Sequence, residues 1–143
     1  MFNTILVVCT GNICRSPIGE ELLRQRMPNI RIDSAGLQGL SGYPADRRAQ
    51  EVAAQYGISL ERHIARRLTA KMIQEYELIL TMMPNQLNQI SAIVPEARGK
   101  TFLFGKWLGI QEIPDPYCQS HAVFDYVFSI LRRASQEWAK RLN

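Results

Sequence analysis

Histidine and cysteine are scarce in this chain: two and three residues out of 143. Cys9, Cys14 and Cys118 are an odd number, too few for a disulfide framework. There is no Cys-x-x-Cys pair, and His63 and His121 lie far apart, so the spacing of a metal site is missing. No apolar run approaches the ~20 residues that a membrane-spanning helix needs, so no membrane insertion is expected. The start, Met1-Phe2-Asn3-Thr4, leads into one short apolar run without a charged leader or a small-residue cleavage site, unlike a secretory signal. Repeats, low-complexity tracts and linkers are absent too. These absences lead us to expect one domain over residues 1–143, cytoplasmic, with reduced thiols.

What is present suits a globular protein. Apolar residues make up 46% and charged residues 21%. A chain of this size buries roughly 68–70% of its unfolded surface, enough for a core without staples. The formal charge is +4, and arginine supplies 13 of the 17 cations. Arginine favours planar, bidentate recognition of oxyanions. A charge of +4 does not by itself separate nucleic acid from a phosphorylated or acidic partner.

Hydrophobic spacing gives the elements. Thr4-Ile5-Leu6-Val7-Val8 reads as a strand buried on both faces of a parallel sheet. A glycine-containing turn follows, and Ser16 as N-cap with Pro17 at the first helical position opens a helix running to Met27-Pro28. Ile30 to Ala35 reads as a second strand. Ala49, Val52, Ala53 and Tyr56 mark a helix over 45–56 stopped by Gly57. Thr69 caps a short helix through Glu75, and Tyr76 to Met82 is a third strand. A helix over Asn85–Ile93 precedes a fourth strand, Thr101 to Phe104. Phe124, Val127, Phe128, Leu131 and Trp138 stripe a long C-terminal helix. The pattern predicts an α/β three-layer sandwich with a four-stranded parallel sheet flanked by helices.

The informative segment is Cys9-Thr10-Gly11-Asn12-Ile13-Cys14-Arg15-Ser16-Pro17, between the first strand and the first helix. Open α/β folds bind ligands at that end of a strand. With five residues between Cys9 and Arg15, the loop can curl so that successive backbone N–H groups converge on one tetrahedral anion. The helix start adds its positive end. Arg15 can grip two oxygens, and Cys9 lies beneath the anion in an electropositive cup that favours the thiolate. This is an oxyanion cradle with a sulfur nucleophile at its base. It is not a GxxxxGK[ST] loop, because the lysine and second glycine are missing. A thiolate that attacks phosphorus needs a proton donor for the leaving oxygen. Asp115, bracketed by Pro114 and Pro116, is the candidate, its backbone fixed by the two rings. Arginine and amides supply the positive field, so no metal or cofactor is called for.

Four separated motifs, VCTGNICRSP at 8–17, DSAG at 33–36, HIAR at 63–66 and DPY at 115–117, resemble the low-molecular-weight protein tyrosine phosphatases in order and spacing. The stretches from Val94 to Trp107 and from Ile113 to Tyr117 resemble the enterobacterial members, which act on tyrosine autokinases of capsule and exopolysaccharide export. The resemblance implies that Cys9 forms a phosphocysteine intermediate, that Arg15 clamps the phosphate, and that Asp115 acts first as acid and then as base. Thr10, Gly11, Asn12, Ile13, Cys14 and Ser16 would complete the phosphate-binding loop, with Ser16 assisting the Cys9 thiolate as leaving group. Asn12, Ser34 and His63 would form a polar network holding the loop. Leu40 and Tyr117 would line the slot for the phosphotyrosine ring. Cys14 would protect Cys9 through a reversible disulfide, since a neighbouring thiol traps a sulfenic acid before further oxidation. The implied partner is a phosphotyrosine protein, the cytoplasmic domain of a membrane tyrosine autokinase, with inorganic phosphate as product and no nucleic acid. The sequence departs from many eukaryotic members at Cys118, where they carry a second tyrosine.

Two alternatives share the loop. A thiol-dependent arsenate reductase would use the same cradle but needs further cysteines on a mobile segment, and only Cys14 and Cys118 are on offer. A non-catalytic phosphotyrosine-binding or redox module would predict loss of Cys9, Arg15 or Asp115, and all three are present.

Overall fold

Four parallel strands in the order β2-β1-β3-β4 form one sheet in the computed structural model, which describes residues 2–142. Met1 and Asn143, the ends of the expected domain, lie outside the described residues. The strands are β1 (Thr4–Cys9), β2 (Arg31–Gly36), β3 (Leu78–Thr81) and β4 (Thr101–Leu103). The helices are α1 (Arg15–Arg26), α2 (Arg47–Gln55), α3 (Ala70–Glu75), α4 (Pro84–Ile93) and α5 (His121–Leu142).

Side chains alternate across a strand, and β1 uses this to hold three layers together. Ile5, Val7 and Cys9 join one apolar core with Ile18 and Leu22 of α1, Val52 of α2, and Phe124, Phe128 and Leu131 of α5. Leu6 and Val8 point the other way, into a smaller core with Ile73 of α3 and Ile90 of α4. The expected stripe of α5 is buried at all five positions, and Trp138 Nε1 donates to the Phe104 carbonyl at 2.9 Å.

Most element boundaries differ from the sequence reading by one or two residues. The start of α1 differs for a physical reason. Ser16 is not its N-cap: the cap position is Cys14, α1 begins at Arg15, and no side chain caps it. The Ser16 hydroxyl is engaged instead with the Cys9 sulfur and the Asn12 amide. By contrast, Asp46 caps α2 by accepting from the Arg48 and Ala49 amides, and Thr69 caps α3 as the sequence predicts. The first-turn amides of α1 are thus left for an anion.

Strand order reverses at β1: the chain runs first to β2 on one side and then to β3 on the other. In open α/β sheets such a switch point opens a crevice beyond the carboxyl ends of the strands. Cys9 is the last residue of β1 and pairs in register with Gly36. The loop after β1 is therefore held in that crevice, along the segment that follows β2.

Candidate active site

The loop from Cys9 to Arg15 is shaped by backbone bonds along one side and a buried polar network on the other. Leu37, Gln38 and Leu40 donate their amides to the carbonyls of Cys9, Thr10 and Gly11 at 3.0, 2.9 and 3.1 Å. Gly36 permits the close approach. A Cβ there would lie 2.5 Å from the Thr10 carbonyl oxygen and 2.9 Å from the Asn12 nitrogen.

The left-handed residue of the loop is Asn12, at φ +60°, and not the glycine beside it. Among non-glycine residues asparagine tolerates that conformation best, because its short polar side chain can hydrogen-bond locally, and the Asn12 side chain holds it in place. Nδ2 donates to Ser16 Oγ at 2.7 Å and to Ser34 Oγ at 2.9 Å, while Oδ1 accepts from the Arg66 amide at 3.0 Å. The Asn12 carbonyl accepts from His63 Nε2 at 2.6 Å, which assigns the hydrogen to that ring nitrogen. Ser34 in turn donates to Glu20. The structure thus brings Asn12, Ser16, Ser34 and His63 together and adds Glu20 and Arg66. Spacing alone did not single those two out.

Cys9 is 3% exposed, and its sulfur lies 2.9 Å from Ser16 Oγ. Arg15 is 2% exposed, with Nη1 donating to the Ile113 carbonyl at 2.8 Å and Nη2 standing 3.6 Å from Asp115 Oδ2. Asp115 is half-exposed, and its Oδ1 accepts the Tyr117 amide at 3.1 Å. The segment carrying it is tied to the chain just after β3, where Ile113 donates to the Met82 carbonyl at 3.0 Å.

These groups line one cavity of about 330 Å³. Cys9, Gly11, Ile13, Cys14 and Arg15 line it from the loop, and Thr10, Gln38, Leu40, Asp115 and Tyr117 complete it. Leu40 and Tyr117 are 39% and 49% exposed, as suits the walls of an open slot. The Cys14 thiol is held strongly toward its protonated form. Burial is the main cause, with Asp46, Cys9 and Asp115 adding to it and Arg15 opposing. Among the described residues no group of three or more His, Cys, Asp or Glu could hold a metal ion, and no helix is long and apolar enough to cross a membrane.

A parallel α/β sheet whose first strand delivers a buried cysteine and arginine into an uncapped helix start, under a proline-bracketed aspartate, defines a cysteine-dependent phosphate-handling protein. Comparison with known proteins makes this specific. Residues 4–143 match the low molecular weight phosphotyrosine protein phosphatase family, and the chain belongs to it. The low molecular weight protein-tyrosine-phosphatase Etp of Escherichia coli K12 is 59% identical over 142 residues, covering 99% of this chain and 96% of Etp. The crystal structure of the tyrosine phosphatase Wzb from Escherichia coli K30 in complex with sulphate superposes with a TM-score of 0.98 at 50% identity, covering 100% of both chains. Vibrio vulnificus Wzb in complex with benzylphosphonate gives 0.96 at 45% identity, over 99% of this chain and 100% of that one.

Proposed function

We propose that residues 1–143 act as one catalytic domain that hydrolyses phosphotyrosine in proteins through a phosphocysteine at Cys9. The observation that carries this reading is the position of Arg15. It is buried in the loop, anchored to Ile113 and 3.6 Å from Asp115, so one guanidinium links the nucleophile's loop to the acid's segment within a single cavity. A phosphoryl group entering there takes two oxygens to Arg15 and the rest to the loop and helix amides. The Cys9 sulfur attacks phosphorus, forming the P–S bond as the P–O bond to tyrosine breaks, and Asp115 passes its proton to the departing phenolate. In the second step water attacks phosphorus, Asp115 takes the water's proton, and the P–S bond breaks to release phosphate and the Cys9 thiolate. Ser16 donates a hydrogen bond to that sulfur and lowers the cost of its departure.

Leu40 and Tyr117 line the same cavity as the buried Cys9, which supports reading them as walls for a flat ring and the site as favouring an aryl phosphate over a shorter alkyl one. As the natural partner we propose the phosphorylated cytoplasmic domain of a membrane tyrosine autokinase of exopolysaccharide or capsule export. Full-length likeness to Etp and Wzb supports this partner. The test is hydrolysis of p-nitrophenyl phosphate by the purified protein, followed by capture of the phosphorylated autokinase domain with Asp115→Asn. An inactive wild-type protein would defeat the catalytic reading. An active enzyme whose trapping form leaves that domain unbound would defeat the partner alone.

A further inference from the structure

Gln86, in the first turn of α4, is 1% exposed, and phosphoryl transfer makes no use of it. Its Oε1 accepts the Met82 and Met83 amides at 2.8 and 3.2 Å. Two donors on that oxygen fix the orientation of the amide, so Nε2 is a donor only. Nε2 donates to Thr10 Oγ1 at 3.2 Å, across 76 positions of sequence. The Thr10 oxygen is therefore an acceptor for Gln86. Among the described residues, its own hydrogen goes to no protein acceptor. The result is a hydroxyl held by Gln86, with its own hydrogen uncommitted, on a residue that lines the catalytic cavity.

Burial places that donor relative to a substrate. Cys9 and Arg15 at the floor are 3% and 2% exposed, whereas Thr10 and its neighbour Gln38 are exposed. A phosphoryl group occupies the floor, so a donor at the rim meets what trails behind the aromatic ring. Thr10 and Gln38 are both uncharged. Neutral donors suit neutral acceptors, and in a phosphotyrosine polypeptide the acceptors nearest the ring are main-chain carbonyls.

We propose that Thr10, oriented by Gln86, is a specificity-determining residue that donates a hydrogen bond to a main-chain carbonyl of the polypeptide carrying the phosphotyrosine. Gln86 is its positioning residue. The proposal rests on the phosphatase reading above and adds which part of the substrate the rim reads.

The experiment compares kcat/KM for a phosphotyrosine peptide with kcat/KM for p-nitrophenyl phosphate, which has no peptide. Wild type, Thr10→Ser, Thr10→Val, Gln86→Leu and the double variant Thr10→Val/Gln86→Leu are measured. Thr10→Val lowers the peptide-to-aryl ratio about tenfold, as loss of one hydrogen bond predicts, chiefly through the peptide KM. Thr10→Ser keeps the ratio. Gln86→Leu lowers it by a similar factor, and the double variant lowers it no further, because both changes remove one interaction. Equal losses on the two substrates in Thr10→Val, or additive losses in the double variant, would overturn the proposal. Should Gln86→Leu not fold, the serine and valine variants at Thr10 decide it. A wild-type protein inactive on both substrates would defeat the phosphatase reading itself, whereas an active enzyme with an unchanged ratio defeats only this proposal.

Discussion

Ser16 Oγ lies 2.9 Å from the Cys9 sulfur and at the same time accepts a hydrogen bond from Asn12 at 2.7 Å. Both hydrogens of the Asn12 amide are committed, one to Ser16 and one to Ser34, so the Ser16 hydrogen is directed at the sulfur. A hydrogen bond to a thiolate stabilises the leaving group of the second step. Ser16→Ala therefore lowers kcat about tenfold to a hundredfold, the range for a hydrogen bond to a charged group. Pre-steady-state kinetics show the loss in hydrolysis of the intermediate, with a burst of nitrophenol retained. A loss confined to KM would contradict this role.

Asp115 stands at the cavity with Nη2 of Arg15 3.6 Å away and its two flanking prolines setting the backbone. As the acid, it matters most where the leaving oxygen is basic. Asp115→Asn consequently slows aryl phosphates in order of their phenol basicity, with alkyl-substituted phenols losing about a hundredfold and nitrophenols less. A series of substituted phenyl phosphates checks this. A uniform loss across the series would remove Asp115 from proton transfer.

Gly36 tests the shape of the loop. The Cβ of Gly36→Ala meets the Thr10 carbonyl at 2.5 Å and the Asn12 nitrogen at 2.9 Å, closer than real contacts permit. The loop shifts, and displacement of this kind costs about a hundredfold in rate. The change falls on kcat and on inhibition by inorganic phosphate together. Wild-type values for both would mean that the strand and loop are not in this close contact.

Cys14 links the loop to pH and oxidation. Its proton is held more tightly in the folded chain than in the unfolded one, because burial and nearby negative groups disfavour the thiolate. Above about pH 8.5 the unfolded chain releases this proton and the folded chain keeps it, so the unfolded state binds fewer protons and stability falls as pH rises. The contribution is complete below that pH and is lost on the alkaline side. Urea denaturation of Cys14→Ala between pH 7 and 10 shows a shallower alkaline decline than wild type. Identical slopes would refute it. The same thiol bears on oxidation. A Cys9 sulfenic acid condensing with Cys14 releases water and leaves a reducible disulfide. After peroxide, thiol reductant restores wild type more completely than Cys14→Ser. Equal recovery would exclude the protective role.

The sequence reads some of this architecture well because the causes are local. β1 is legible from its unbroken Ile5–Val8 run, and α5 from a stripe that the structure buries at each expected position. Cys9 and Arg15 share one short loop, so their meeting follows from spacing. Asp115 reaches them from a hundred residues away, and the two prolines were the only local cue. Glu20 and Gln86 carry no cue at all. Glu20 looks like any acid on a solvated helix, and Gln86 like a polar residue near a helix start. Their partners, Ser34 and Thr10, lie on other elements and become visible only once β1, β2 and α4 are assembled. Ser16 misled in an instructive way: serine before proline signals a cap, yet its hydroxyl serves the Cys9 sulfur, and the helix starts two residues earlier than that signal predicts.

The most direct test of the account is to find where phosphate resides during turnover. Wild-type protein mixed with p-nitrophenyl phosphate, quenched in acid within a single turnover and mapped by mass spectrometry, should carry one phosphate, on Cys9, and Cys9→Ser should show no turnover. Phosphate on any other residue, or undiminished hydrolysis by Cys9→Ser, would contradict it.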